Sequence, residues 1–280
     1  MKVLIIGSKG MLGQDLSRVF SDGNEVLAWD REQIDITNPE AAGKISAAAP
    51  DILINAAAYN AVDRAEEEEE LANSINGDAV GMMAGICSMM SIPVVHYSTD
   101  YVFEGTNKDG YAEDDEPNPQ SAYARSKRLG EVMLRDSSAD YWLIRTSRLF
   151  GKPANAPGAK KSFPDTMRDL AKTKKEFDLV DEEVSAPTHS LDLARRTREI
   201  VEALKPFGIY HATNEGGCTW YEFGKAVFEI AGVDVACRPV PGSAYPRPAK
   251  RPAFSVLKTM KMPPMRPWRE ALEEYLRQST

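Results

Sequence analysis

Two stretches pair a phenol with an ammonium four residues apart, YARSK at Tyr123 and Lys127 and YEFGK at Tyr221 and Lys225. On a helix both pairs stack along one face, so spacing alone does not separate them. What precedes them does. The segment VVHYSTDYVFEG brings the hydroxyls Ser98 and Thr99 to the expected carboxyl end of an apolar strand. Ligands of open parallel sheets bind at that edge. The helix that opens with Tyr123 begins 24 residues after Thr99. The Tyr221 pair follows no such strand and shares its helix with an apolar stripe, Trp220, Phe223, Val227 and Ile230, which reads as packing. Thr99, Tyr123 and Lys127 together suit the reduction of a carbonyl. The oxygen gains negative charge, so a hydroxyl orients it and a phenol protonates it. A nearby ammonium is expected to lower the phenol from its ordinary pKa of about 10.

A reductant site is legible at the other end of the chain. VLIIGSKGMLGQDL sets Gly7, Gly10 and Gly13 directly after a buried-strand signal and at the mouth of a helix whose inward face is Leu12, Leu16, Val19 and Phe20. This is the context a dinucleotide fingerprint requires, with the N–H groups around Met11 and Leu12 facing a pyrophosphate. The next strand, EVLAW, ends at Asp30, where a carboxylate can bind the adenosine ribose, and Arg31 follows, where a guanidinium can pair with a 2′-phosphate. The two residues advise differently on NADH and NADPH, so use of both is expected. Asp35 and Ile36 are placed to border the adenine. Ala56, Ala57 and Ala58 end a further strand in small side chains, either to let a cofactor approach or simply to pack helix on strand. Lys127 is expected to reach the nicotinamide ribose, tying the acid to the cofactor.

The elements that must position these groups follow the same rhythm. KVLIIG, EVLAW, DILINAAA, IPVVHYSTDYVF and YWLIRTSRLF alternate with amphipathic or turn-rich segments, the pattern of parallel strands with crossover helices. We expect an α/β protein with a Rossmann-type doubly wound parallel sheet over residues 1–150, joined by part of 180–205. A smaller, irregular α/β region, rich in Pro and Gly loops, is expected over 151–280. The run EEEEE, Glu66 to Glu70, reads as the start of a helix with a solvated face. At 280 residues and 42% hydrophobic content the chain carries a core of its own. Cys87, Cys218 and Cys237 are odd in number and lack metal or disulfide spacing, and His96, His189 and His211 are scattered. A formal net charge of -8 disfavours nucleic acid and anionic membrane as partners. No signal-peptide pattern or long apolar run is present, so a cytoplasmic location is expected.

In its motifs GSKGMLG, NAAAY, STDYVF and YARSK the chain resembles the extended short-chain dehydrogenase/reductases. Through AAAYNAVDRAE, STDYVFEG, EPNPQSAYARSKRLGE, RTSRLFG, VDEEVSAPT, GIYHATNEGGCTWYEF and RPAFSVL it resembles the dTDP-4-dehydrorhamnose reductase family over most of its length. The resemblance implies Thr99, Tyr123 and Lys127 as the catalytic trio, NADPH or NADH as cofactor, and a nucleotide-linked 4-keto-6-deoxysugar reduced at C4, towards dTDP-L-rhamnose for polysaccharide. It implies that residues 151–280 hold the nucleotide sugar and that Asn60, Val62, Asp100, Tyr101, Arg148 and Arg251 contact it. A homodimer and a Mg2+ bridged by carboxylates are compatible with the family, although no local motif calls for metal. Three departures concern the sugar. Arg148 stands where the family has Trp, Asn60 where it has Thr, and Glu183 and Ser185 where it has Gln and Gly. Arg148 is accordingly expected to face the ligand, or else to form an outward salt bridge. For a diphosphate on an acidic chain, Lys160 and Lys161, and Arg247, Lys250 and Arg251, are the local cations, and a lid carrying the two lysines is an expectation. Other readings are a reductase or epimerase of a different nucleotide sugar, or a regulatory subunit that keeps only cofactor binding.

Overall fold

The computed structural model describes residues 1–155 and 159–278. The chain runs β1 (Lys2–Ile6), α1 (Met11–Phe20), β2 (Glu25–Trp29), α2 (Ala41–Ala48), β3 (Ile52–Asn55), α3 (Glu69–Asn73), α4 (Ala79–Met90), β4 (Val94–Thr99), α5 (Ala122–Asp136) and β5 (Tyr141–Thr146). It continues through β6 (Leu149–Phe150), α6 (Phe163–Leu170), β7 (Glu176–Val180), β8 (Thr188–His189), α7 (Ser190–Glu202), β9 (Gly208–His211), α8 (Trp220–Ala231), β10 (Ala236–Val240) and α9 (Trp268–Gln278).

Six strands form one parallel sheet in the order β2-β1-β3-β4-β5-β9. Strand order reverses between β1 and β3, so the carboxyl ends of these strands part to leave a crevice, the place where such sheets take ligands. Both faces are covered, which is why the strands read as unbroken apolar runs. Val3 and Ile5 point to α1 and α7, packing with Leu12, Leu16, Phe20, Leu193 and Ile200. Leu4 and Ile6 point the other way, to Ile45, Val80, Met83 and Cys87 of α2 and α4.

A second core holds the smaller region together. Phe177 and Leu179 of β7 and Phe223 and Val227 of α8 close on Leu272 and Leu276 of α9. Helix α7, within the stretch 180–205 of which part is expected to join the first domain, packs on α1. Strand β9, within the stretch expected to be mainly sugar-binding, is the sixth strand of the main sheet, pairing Ile209 with Leu143. Its sequence, GIYH, holds no unbroken apolar run of the kind that marks the other strands. In α8, Tyr221 is half-buried against the second core while Lys225 is exposed and 4.0 Å from Glu229, so this pair packs and solvates as expected.

Candidate active site

At the end of β1 the chain must turn sharply into α1, and Gly7 does so at φ +80°. Its N–H and that of Ser8 donate to the Trp29 carbonyl at 2.9 and 3.0 Å, tying the loop to β2. A side chain on Gly13 would put its Cβ 2.1 Å from the Gly7 carbonyl oxygen, and one on Gly7 would sit 2.7 Å from the Ala57 nitrogen. The two glycines therefore let helix and strands approach one another. Gly10 is the N-cap of α1 and no side chain caps the helix. The first-turn N–H groups of Met11 and Leu12 thus lie at the mouth of the crevice with no side-chain cap, a donor set suited to a pyrophosphate.

Asp30 ends β2 as expected, but both its oxygens are engaged: Oδ2 accepts from the Lys9 N–H and Oδ1 from the Arg31 N–H, each at 2.9 Å. Arg31 is exposed beside it. Asp35 accepts from the Thr37 N–H and hydroxyl, which with the nearby Arg31 guanidinium hold its carboxyl below the usual value, and Ile36 packs against the second face of the sheet. Ala56 and Ala57 pack one on each face of the sheet, and the Ala56 N–H donates to Ile6. All three alanines, Ala56, Ala57 and Ala58, are half-buried.

Thr99 closes β4, and its hydroxyl donates to Asp100 at 3.1 Å while accepting from the Tyr101 N–H at 3.2 Å. Helix α5 starts at the Ser121 cap and carries Tyr123, whose ring lies edge-on to Tyr101 at 6.1 Å. One turn on, Lys127 is 3% exposed and donates to the Tyr97 carbonyl of β4 at 2.6 Å. The trio is therefore gathered at the carboxyl edge of β4.

The electrostatics differ from expectation. Burial pushes the Tyr123 phenol above its ordinary value, opposed by the Thr99 hydroxyl and reinforced by Asp100 and Tyr101. Lys127 does not lower it, because that ammonium is turned to the Tyr97 carbonyl and is itself pushed down to about 8 by burial, against the pull of Glu131. Asp100, 2% exposed, is raised to about 6 by burial, while Ser255 donates to it at 2.5 Å and Arg148 draws it down. Burial also raises Tyr101 to about 12.

Arg148 forms no salt bridge among the described residues. It sits at φ +41°, donates to the carbonyls of Cys218 at 2.7 Å and Glu183 at 2.5 Å, and lies 4.2 Å over the Trp220 ring. The sequence shows a cation in place of an aromatic but not that an indole from α8 would cover it. Glu183 in turn accepts from Trp220 Nε1 at 2.9 Å and from Arg247. Ser185, the other departure in that segment, is buried and its N–H donates to the Cys218 carbonyl at 3.2 Å. Arg251 pairs with Asp63 at 2.8 Å, Val62 is half-buried, and Asn60 is exposed. Lys250 is exposed and reaches Gln120 at 3.4 Å.

Lys161 is elsewhere. It pairs with Asp169 and lines a cavity of about 1260 Å3 walled by residues such as Asp15, Arg18, His189 and Tyr275; none of Thr99, Tyr123 and Lys127 is on its wall. The expectation of a lid spanning Lys160 and Lys161 also touches residues 156–158, outside the described residues.

Several supports of the site carry no motif. Glu131, one turn past Lys127, holds Arg145 in a buried two-pronged pair with both bonds at 2.9 Å. Asn76, in a π-helical turn Ser74–Asp78, accepts from the Tyr59 N–H and donates to the Tyr59 carbonyl and to Ser126. The Lys127 to Glu131 spacing was a readable signal; the partners of Asn76 and the Ser255 to Asp100 bond, 155 residues apart in sequence, were not. Among the described residues no group of three or more His, Cys, Asp or Glu side chains is arranged to hold a metal ion, and no helix is long and apolar enough to cross a membrane.

Comparison with known proteins agrees with this geometry. The family model described as RmlD substrate binding domain matches residues 1–280. The spore coat polysaccharide biosynthesis protein SpsK of Bacillus subtilis is 37% identical over 283 residues, covering 99% of this chain and 97% of that protein. A dTDP-4-dehydrorhamnose reductase from Clostridium acetobutylicum superposes with a TM-score of 0.94 at 35% identity, over 100% of this chain and 99% of that one. The Bacillus anthracis dTDP-4-dehydrorhamnose reductase, solved in complex with NADP, gives 0.93 at 31% identity and 99% coverage of both chains. Matched along its whole length by the family model and by these relatives, the chain belongs to the RmlD family, that of the dTDP-4-dehydrorhamnose reductases.

Proposed function

We propose that this protein is an NAD(P)H-dependent oxidoreductase that reduces the C4 ketone of a nucleotide-linked 4-keto-6-deoxysugar, dTDP-4-dehydro-L-rhamnose to dTDP-L-rhamnose. The observation that carries the reading is the convergence of Thr99, Tyr123 and Lys127 at the carboxyl edge of β4, beside the crevice between β1 and β3. The donor set there fits a dinucleotide: the N–H groups of Met11 and Leu12 for its pyrophosphate, Lys127 for its nicotinamide ribose, Arg31 for a 2′-phosphate. With both Asp30 oxygens engaged by main-chain N–H groups and Arg31 exposed, NADPH is favoured over NADH. When bound, the nicotinamide supplies the hydride.

The chain's own residues do the rest. Thr99 orients the ketone oxygen, and Tyr123 gives it a proton. The raised pKa of Tyr123 keeps that proton in place at neutral pH. The transfer is still downhill, because an alkoxide is a far stronger base than a phenolate. Lys127 anchors the ribose against β4. Tyr101, Asp100, Val62 and Asn60 border the sugar, Trp220 backed by Arg148 supplies the apolar wall expected at position 148, and Arg251 with Lys250 meets the diphosphate. A reductase of another nucleotide sugar is the second reading, favoured by Asn60, which is exposed.

The test is NADPH oxidation against a panel of 4-keto nucleotide sugars. Turnover highest on dTDP-4-dehydro-L-rhamnose is expected. Preference for another member supports the second reading, and intact cofactor binding without turnover on any of them would point to a regulatory subunit.

A further inference from the structure

The run Glu66 to Glu70 reads in sequence as a solvated face, yet three of its carboxylates are aimed at specific partners. Glu66 Oε1 accepts from the Ala122 N–H at 2.9 Å, Glu68 accepts from the Tyr59 hydroxyl and from Arg64, and Glu69 grips Arg125 through Nε and Nη2 at 2.9 and 3.1 Å. Ala122 and Arg125 flank Tyr123 on α5. A third neighbour, Ser126, donates to the Tyr123 carbonyl at 2.8 Å and accepts from Asn76, which also holds the Tyr59 main chain on both sides.

The first N–H groups of a helix have no partner within it. Ser121 satisfies only the Ala124 N–H, at 3.3 Å, so the N–H one residue before Tyr123 depends on Glu66. A carboxylate at that place also opposes the positive end of the helix dipole. The first turn of α5, which sets where the phenol points, is thus fastened from the segment that follows β3.

Resting on the reductase reading, we propose that Glu66 is a positioning residue for Tyr123, and that Glu66, Glu68 and Glu69 clamp the first turn of α5 to the loop carrying Tyr59. Displacements of about an ångström at a reacting atom are costly in rate, and the Glu66 carboxylate bonds the Ala122 N–H, not a residue placed at the sugar or the cofactor.

Glu66 is exposed, so its variants fold. In Glu66→Ala, kcat falls about three- to tenfold with both KM values within about twofold of wild type, as loss of a typical helix cap directs. Glu66→Gln keeps an acceptor oxygen and restores kcat to within about twofold. Amide hydrogen exchange of Ala122 and Tyr123 quickens in Glu66→Ala and not in Glu66→Gln, with the β4 amides unchanged. Wild-type kcat in Glu66→Ala, no rescue by Glu66→Gln, or a KM that rises in step with the fall in kcat would overturn the proposal. Should the wild-type protein reduce no 4-keto nucleotide sugar, the reductase reading fails by itself, and unchanged exchange at Ala122 would separately refute the clamp.

Discussion

Replacing Arg148 with methionine separates a structural guanidinium from a ligand-binding one. Methionine keeps a comparable reach and apolar stem but removes the donors to Cys218 and Glu183 and the cation over Trp220. The Glu183 carbonyl loses its donor at about 1–2 kcal/mol, while the Cys218 carbonyl keeps the Ser185 N–H, and the lost cation–π contact costs about 1 kcal/mol. Burial holds the guanidinium below its ordinary pKa, so removing it recovers part of a desolvation penalty. The net destabilisation is about 1–2 kcal/mol. For a chain of this size, with a urea m-value of about 3 kcal/mol/M, the unfolding midpoint drops by about 0.5 M at unchanged m. The assay is urea unfolding followed by fluorescence, alongside KM for the nucleotide sugar. An unchanged midpoint with an altered KM would refute the reasoning and return Arg148 to the ligand.

Further outcomes follow from the same geometry. Gly13→Ala forces Cβ against the Gly7 carbonyl, so the loop opens and the NADPH Kd rises at least about tenfold; unchanged cofactor titration would contradict this. Lys127 loses its charge above about pH 8, so kcat/KM for NADPH falls along an alkaline limb near that value, and a flat profile to pH 10 would count against its role. Burial holds His96 well below its ordinary value and His211 down to about 3, so the unfolded chain takes up protons that the folded one refuses. Stability is therefore lost as the pH falls through about 6.5, by up to about 1.4 kcal/mol per unit for each histidine. Asp100, raised to about 6, gains stability in the opposite sense, but one carboxyl does not offset two imidazoles. A urea midpoint no lower at pH 5.5 than at 7.5 would refute the balance.

Much of this architecture was legible because local physics and the fold agree. Unbroken apolar runs marked strands buried on both faces, and Gly7, Gly10 and Gly13 marked a turn that only small residues permit. Tyr123 separated from Tyr221 through what lay upstream of each, a hydroxyl-tipped strand in one case and none in the other. The remainder depended on partners far along the chain. Arg148 declares that burying it is costly, but not that Cys218, Glu183 and Trp220 enclose it. Five consecutive glutamates look alike in sequence, and only the packing of α5 tells Glu66, which caps that helix, from its solvated neighbours. The raised pKa of Tyr123 escaped for a similar reason: the i to i+4 spacing predicted a neighbouring ammonium, while the Tyr97 carbonyl that occupies it lies on another element. Strand β9 was hidden by its composition, since GIYH opens on a glycine and ends on a histidine, with no apolar run like the ILI of β3 to outweigh the loop signals around it.

Delivery of the proton to the reduced carbonyl by the Tyr123 phenol is checked by comparing kcat of Tyr123→Phe and wild type on dTDP-4-dehydro-L-rhamnose, with the NADPH Kd measured on both. A fall in kcat of about 10²- to 10⁴-fold with Kd within about twofold is expected. Turnover undiminished in the phenylalanine variant would contradict it.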